Sequence, residues 1–421
     1  MPNIYIHNLG PVKECKMELE DFCVLTGPQA SGKSTIAKAI YFFRTIKDDC
    51  IALYIKNQTI GEVEGSFSDL LIKQLRSKFM QIFGSSWGMS MDMKLCYEYK
   101  EGTYVEVSLR KTQQEGLPNY IYFEFSNDIK EYLYVLNRAD QNRERLIRYA
   151  ISLLFADYGE VIYIPAGRSM ITLLTTQLNY IFLMLDDAQK RALDYCTQNY
   201  MERILRLKPQ FAEGIQGMYY NKINTSAEKL NKPVLKAMME FIPQILKGRY
   251  QYTDGEERLL LDSHRYVKLN YTSSGQQEVV WILNLLFYYV LENKHVYMIL
   301  EEPESHLYPE AQSQVAEMLA MFLKAGNKML LTTHSPYILG ALNNLLYAGN
   351  LKNKGKAEVG TLIREEMQID SEKTASYFVK EGQLENIMDE ELSMINHSVI
   401  DGISLTINEM NDKLIDLDVG D

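Results

Sequence analysis

The chain has 421 residues, 46% hydrophobic and 24% charged, which is core enough for two or three domains or for one α/β domain with insertions. A net charge of −11 argues against a surface coated with nucleic acid, though it leaves room for a local basic groove. Cys15, Cys23, Cys50, Cys96 and Cys196 are scattered and lack C-x-x-C spacing, so they read as reduced thiols rather than a disulfide framework.

The opening "MPNIYIHNLGPVKE" has no apolar leader, and a cytoplasmic protein is expected. Short strands are predicted at "NIYIHN", "KECKMELE" and "FCVLTG". The last of these runs into "GPQASGKST" (27–35), which matches G-x-x-x-x-G-K-[ST]. In that pattern backbone N–H groups face phosphate oxygens, Lys33 reaches the β/γ-phosphates, and the Ser34 hydroxyl is a Mg²⁺ ligand. Gly27 and Gly32 permit close backbone approach and positive φ. Gln29, Ala30 and Ser31 line the loop. From Lys33, Ser34 and Thr35 onward, "KSTIAKAIYFF" predicts a helix whose N-terminal dipole favours the anion.

Apolar 3–4 spacing predicts a helix over 66–83, and "MKLCYEYKEGTYVEVSLRK" a hairpin turning at Glu101-Gly102, followed by the strand "YIYFEFS". Helical pattern then dominates 129–157 and 170–247, interrupted by the strand-like "EVIYIPAGRS" (160–169). Strands return over 248–271. "LNYTSSGQQEVVWILNLL" places Ser273, Ser274, Gly275 and Gln276 at a strand-to-helix junction, a helix start with exposed backbone donors. The apolar run that follows, 279–291, contains Asn284 and is too short to span a bilayer.

"HVYMILEEPESHLYPEAQ" (295–312) sets Glu301 and Glu302 at the tip of a buried parallel strand, where one carboxylate can serve Mg²⁺ and its neighbour can orient and deprotonate water. "KMLLTTHSPYIL" (328–339) brings His334 to the same edge as a hydrogen-bond donor to phosphate or water. The last residues predict short strands, a turn at Glu381-Gly382 and a helix near 402–416.

Taken in order, 27–35, 273–277, 301–304 and His334 resemble the Walker A, signature, Walker B/D-loop and His-switch motifs of ABC-type ATPases. The form is most similar to the RecF/SMC/OLD-like branch, and to stand-alone ATPases of bacterial anti-phage defence such as the Septu or PARIS components. The resemblance implies an α/β P-loop NTPase head that binds and hydrolyses ATP with Mg²⁺ held by Ser34 and Glu301, and with Glu302 as base. It also implies a head-to-head pair in which 273–276 of one subunit complete the other's site. Glu301 stands where many such proteins have Asp, and Gln29 where Asn is usual. No Q-loop can be placed; "PAGRS" either brings Arg168 near the nucleotide or is a plain strand-ending turn, the reading favoured here.

The expected organisation is 1–50 and 248–350 as the two parts of the head, 51–247 as an inserted lobe that is α+β first and then helical, mostly helical as a whole, and 351–421 as an α+β extension. A transporter subunit is disfavoured by the long span between Lys33 and Ser273. A built-in nuclease is disfavoured because the D-x-D at 416–418 has no room for a fold around it. A RecF-like DNA-binding ATPase is the alternative, with basic groups at 202–208, 249–251 and 351–356 as its weak support. The leading expectation is an ATP-switched sensor or scaffold that self-associates and controls a separate nuclease or toxin.

Overall fold

Strands in chain order are β1 (Asn3–Leu9), β2 (Val12–Glu18), β3 (Phe22–Thr26), β4 (Lys94–Lys100), β5 (Thr103–Arg110), β6 (Tyr120–Phe125), β7 (Glu160–Ile164), β8 (Arg249–Thr253), β9 (Glu256–Leu260), β10 (Tyr266–Lys268), β11 (Val296–Glu301), β12 (Lys328–Thr333), β13 (Thr374–Lys380), β14 (Gln383–Asn386), β15 (Met388–Asp389) and β16 (Met394–Ile395). The longer helices are α1 (Lys33–Arg44), α2 (Ile46–Ile60), α3 (Phe67–Phe83), α4 (Asn127–Leu136), α5 (Glu144–Leu154), α6 (Tyr195–Leu207), α7 (Gly214–Thr225), α8 (Lys232–Leu246), α9 (Ser274–Leu291), α10 (Pro309–Lys324) and α11 (Pro336–Asn353). The structure is a computed structural model that describes residues 1–60, 65–111, 119–136, 144–173, 194–225, 230–389, 391–396, 408–412 and 414.

One 11-stranded sheet runs β6-β5-β4-β1-β2-β14-β13-β3-β12-β11-β7. Its centre is parallel, with β3 between β13 and β12, then β11 and β7. Every residue of β3 and β11 is buried, as strands covered on both faces require. Alternate side chains feed two cores. Phe22, Val24, Met298 and Leu300 face α9, α10 and α11, whereas Cys23, Leu25, Tyr297 and Ile299 face α1, α2 and α3. The result is a sheet with helices on both sides, as expected for a P-loop NTPase.

The sheet crosses the boundaries read from the sequence. Strands β4–β7, from 51–247, and β13–β14, beyond 351, are strands of the same sheet as the P-loop strand. The helical part of 51–247 is real in α6, α7 and α8, which pack into the core that also holds α9. The hairpins at Glu101-Gly102 and Glu381-Gly382 join β4 to β5 and β13 to β14. Of the helix expected near 402–416, residues 408–412 and 414 are helical and the rest lie outside the described residues.

All five cysteines are free. Burial pushes the Cys15 and Cys23 thiols up to about 12, which keeps them protonated and inert. Among the described residues no helix is long and apolar enough to cross a membrane.

Candidate functional site

The phosphate loop is built by a strand that stops and a helix that starts without a cap. After β3, Gly27 takes φ +140°, and a Cβ there would stand 2.2 Å from the Val379 carbonyl oxygen on β13. Only glycine fits. Ala30 adopts φ +58°, and Gly32, the N-cap of α1, adopts φ +114° with no side-chain cap hydrogen bond. The first turn of α1 has no acidic residue, so its amides and dipole are left to an anion. Gln29, Ala30 and Ser34 are exposed, Thr35 is half-buried, and Ser31, Gly32 and Lys33 are buried.

The Lys33 ammonium is held over this loop. It donates to the Gly27 carbonyl at 2.9 Å, the Pro28 carbonyl at 2.7 Å and the Ser31 hydroxyl at 3.3 Å. Burial pushes its pKa down to about 8, opposed by the charges of Glu302, Glu304 and Glu301. Those charges come from the tip of β11, two strands away from β3 through β12.

At that tip Glu301 is buried, and its Oε2 accepts from the Ala166 N–H at 3.2 Å. Its Oε1 makes no close hydrogen bond, and neither does Glu304 Oε2. Glu302 turns the chain with φ +41° while its N–H donates to the Thr332 carbonyl at 2.9 Å. Its carboxylate lies 3.4 Å from His334 Nε2. That hydrogen bond holds the Glu302 carboxyl below the usual range against the opposing effect of burial, with the charges of His334, Arg168 and Lys33 adding to it. Glu302 is therefore an anion at neutral pH, the form a general base needs. Glu304 fixes the facing loop by accepting from Thr333 Oγ1 at 2.8 Å and from the His334 N–H at 2.7 Å.

The structure thus gathers Lys33, Glu301, Glu302 and His334 at the C-terminal edge of adjacent parallel strands. The helix start at 273–276 has different neighbours. Ser273 caps α9 in a reciprocal box with Gln276, whose side chain also donates to the Leu246 carbonyl at 2.8 Å. Gln276 is committed to the cap. Gly275 is buried, and a Cβ on it would stand 2.6 Å from the His306 carbonyl oxygen, so α9 presses against the loop that follows β11. Ser273 and Ser274 face outward.

Three residues carry more of the site than the sequence reading gave them. Glu304 is one. Arg168 and Glu278 are the others: both are fully buried and paired, with Arg168 Nε 3.2 Å from Glu278 Oε2. "PAGRS" is a strand-ending turn, as expected, but its arginine points into the protein. The available signal was Glu278, the one charged residue of α9, set against its apolar run, since a buried carboxylate calls for a cation.

A glycine loop feeding an uncapped helix start, beside a parallel strand that ends in carboxylates, defines a P-loop NTPase. The chain belongs to the AAA ATPase domain family, which it matches over residues 1–339. No curated protein matches it. Among solved structures it is similar to an SMC head bound to the C-winged helix domain of ScpA, at 10% identity and TM-score 0.42, covering 91% of this chain and 96% of that one. It is also similar to the SMC head domain from Thermotoga maritima, at 13% identity and TM-score 0.38, covering 91% and 97%. A third is the Smc head domain with an extended coiled coil bound to the C-terminal domain of ScpA derived from Pyrococcus furiosus, at 12% identity and TM-score 0.39, covering 97% and 100%.

Proposed function

We propose that this chain is a Mg²⁺-dependent, ABC-type ATPase that works as a self-associating, nucleotide-switched scaffold and controls a separate effector protein in bacterial anti-phage defence. The observation that carries the ATPase reading is the convergence of Lys33, the uncapped α1 start, Glu301, Glu302 and His334 at one sheet edge. The loop amides and Lys33 bind and orient the phosphates. Glu302, ionised and turned toward His334, accepts the proton of the attacking water, and His334 holds the far side by a hydrogen bond.

The residues present fit a divalent cation. Two buried carboxylate oxygens, Glu301 Oε1 and Glu304 Oε2, make no close hydrogen bond, although the Tyr163 hydroxyl interacts with Glu301 from within the core, and a cation or its water shell would satisfy them. Among the described residues no group of three or more His, Cys, Asp or Glu could hold a metal alone. Ser34, Glu301 and the substrate's own phosphates would share it, as is common for Mg²⁺. A bound Mg²⁺ neutralises charge on the phosphoryl oxygens.

Self-association is supported by the outward face of the α9 start. Ser273 and Ser274 are exposed there, and so are Tyr271 just before it, Tyr308 just before α10 and Tyr337 in the first turn of α11. Control of a separate effector is supported by the resemblance of the four motifs to stand-alone defence ATPases and by the net charge of −11, which favours protein surfaces over bulk nucleic acid as contacts. Cytoplasmic location belongs to the same reading. Purified protein incubated with Mg²⁺, ATP and supercoiled plasmid releases phosphate slowly and leaves the plasmid intact. Cleavage that follows the protein through purification and vanishes on mutating its own tail contradicts the division of labour.

A further inference from the structure

Strand β7 stops at Ile164, paired with Leu300 of β11, so it does not reach the last residue of β11. The Glu301 and Glu302 carbonyls therefore have no strand partner on that side, although Glu302 must hold a left-handed φ that residues with a Cβ adopt only under strain. The guanidinium of Arg168 takes the missing strand's place. Nη1 donates to the Glu301 carbonyl at 2.6 Å and to the Pro165 carbonyl at 2.6 Å, and Nη2 donates to the Glu302 carbonyl at 2.7 Å.

The charge of Arg168 is balanced from α9. The Glu278 carboxylate accepts from the Arg168 N–H at 3.0 Å and the Ser169 N–H at 2.9 Å, and the Glu278 carbonyl accepts from Arg168 Nε at 3.1 Å. Thr172 Oγ1 donates to the neighbouring Gln277 carbonyl at 3.0 Å. The segment that opens with Arg168 is thus bound to the first turns of α9 on one side and to the carboxylate tip of β11 on the other. Side chains buried this completely, with this many fixed partners, have one arrangement open to them. Lysine could not replace the guanidinium, because an ammonium lacks the planar fork that serves two successive carbonyls at once.

We propose that Arg168, anchored by Glu278, is a positioning residue for hydrolysis: it sets the backbone of Glu301 and Glu302 and ties that backbone to the outward-facing start of α9. This rests on the ATPase reading, with Glu302 as base. Arg168 acts through the backbone carbonyls of Glu301 and Glu302. A contact made at Ser273 and Ser274 reaches the catalytic carboxylate through Glu278 and Arg168 rather than through the P-loop.

The test is Arg168→Lys in the full chain, read three ways. ATP affinity stays within about threefold of wild type while kcat falls about 10- to 100-fold, the range for loss of a supporting hydrogen-bond partner. Without nucleotide, amide exchange speeds up over 302–307 and is unchanged over 31–36. Wild-type kcat together with wild-type exchange overturns the proposal, as does a parallel loss of affinity and kcat. If Arg168→Lys does not fold, Glu278→Gln takes its place; it keeps the shape and one acceptor, and the same split in a milder form is expected. The exchange readout needs no turnover. A wild-type protein that hydrolyses no ATP therefore removes the ATPase reading, and the exchange result still decides whether Arg168 holds the tip.

Discussion

Lys33→Ala yields a folded protein that no longer holds ATP. The three acceptors that Lys33 uses are in its own loop, and the Gly27 and Pro28 residues that supply two of them are open to water, so removing the ammonium leaves little unsatisfied. What is lost is the positive charge at the phosphates. Hydrogen bonds from a charged group contribute about 1.5–3 kcal/mol each, so losing two of them, one to the β- and one to the γ-phosphate, lowers affinity at least about a hundredfold. Because burial holds the Lys33 pKa near 8, the wild-type loop must take up a proton to bind phosphate above that pH. Wild-type affinity therefore weakens as pH rises through about 8, and the Lys33→Ala variant shows no such slope. Equilibrium binding of ATP across that range measures both. Equal affinities in wild type and variant contradict the phosphate-loop assignment.

Glu302→Gln separates binding from chemistry. The amide keeps the size of the side chain and can still hydrogen-bond to His334, while the negative charge that accepts the proton is gone. Loss of a general base costs about 10²–10⁴-fold in kcat, so phosphate release stops on the timescale of wild-type turnover while ATP remains bound. Steady-state phosphate release beside equilibrium binding checks this. Equal turnover in wild type and Glu302→Gln removes Glu302 from the role of base and leaves the binding site standing.

Local chemistry was legible in the sequence. The glycine spacing of 27–32 requires a tight loop, and the apolar runs ending in Glu301-Glu302 and in His334 require buried parallel strands with polar tips; the structure brings these together. The parallel P-loop fold followed from the same segments. Pairing between distant strands was not legible. Alternation in β4 or β13 tells which side chains face a core, but not that β4 pairs with β1 or β13 with β3. That is why 51–247 and 351–421 read as separate units while their strands belong to the central sheet. Arg168 was hidden for a related reason. Its distant partners are the carbonyls of Glu278, Glu301 and Glu302 and the Glu278 carboxylate, all more than a hundred positions away, and a strand-ending turn looks the same in sequence whether its arginine faces water or Glu278.

In the self-associating ATPase proposed above, each nucleotide site is completed by a second copy of the chain. Mixing Lys33→Ala with Ser273→Arg subunits tests this most directly. One variant spoils the phosphate loop and the other blocks the helix start that faces outward. Each alone is predicted to be inactive. At an equal ratio the mixture regains about a quarter of wild-type ATPase activity, because half the pairs are mixed and each carries one intact site of two. Mixed pairs shown to form, yet inactive at every ratio, would contradict the claim and leave Ser273 as the cap of its own helix.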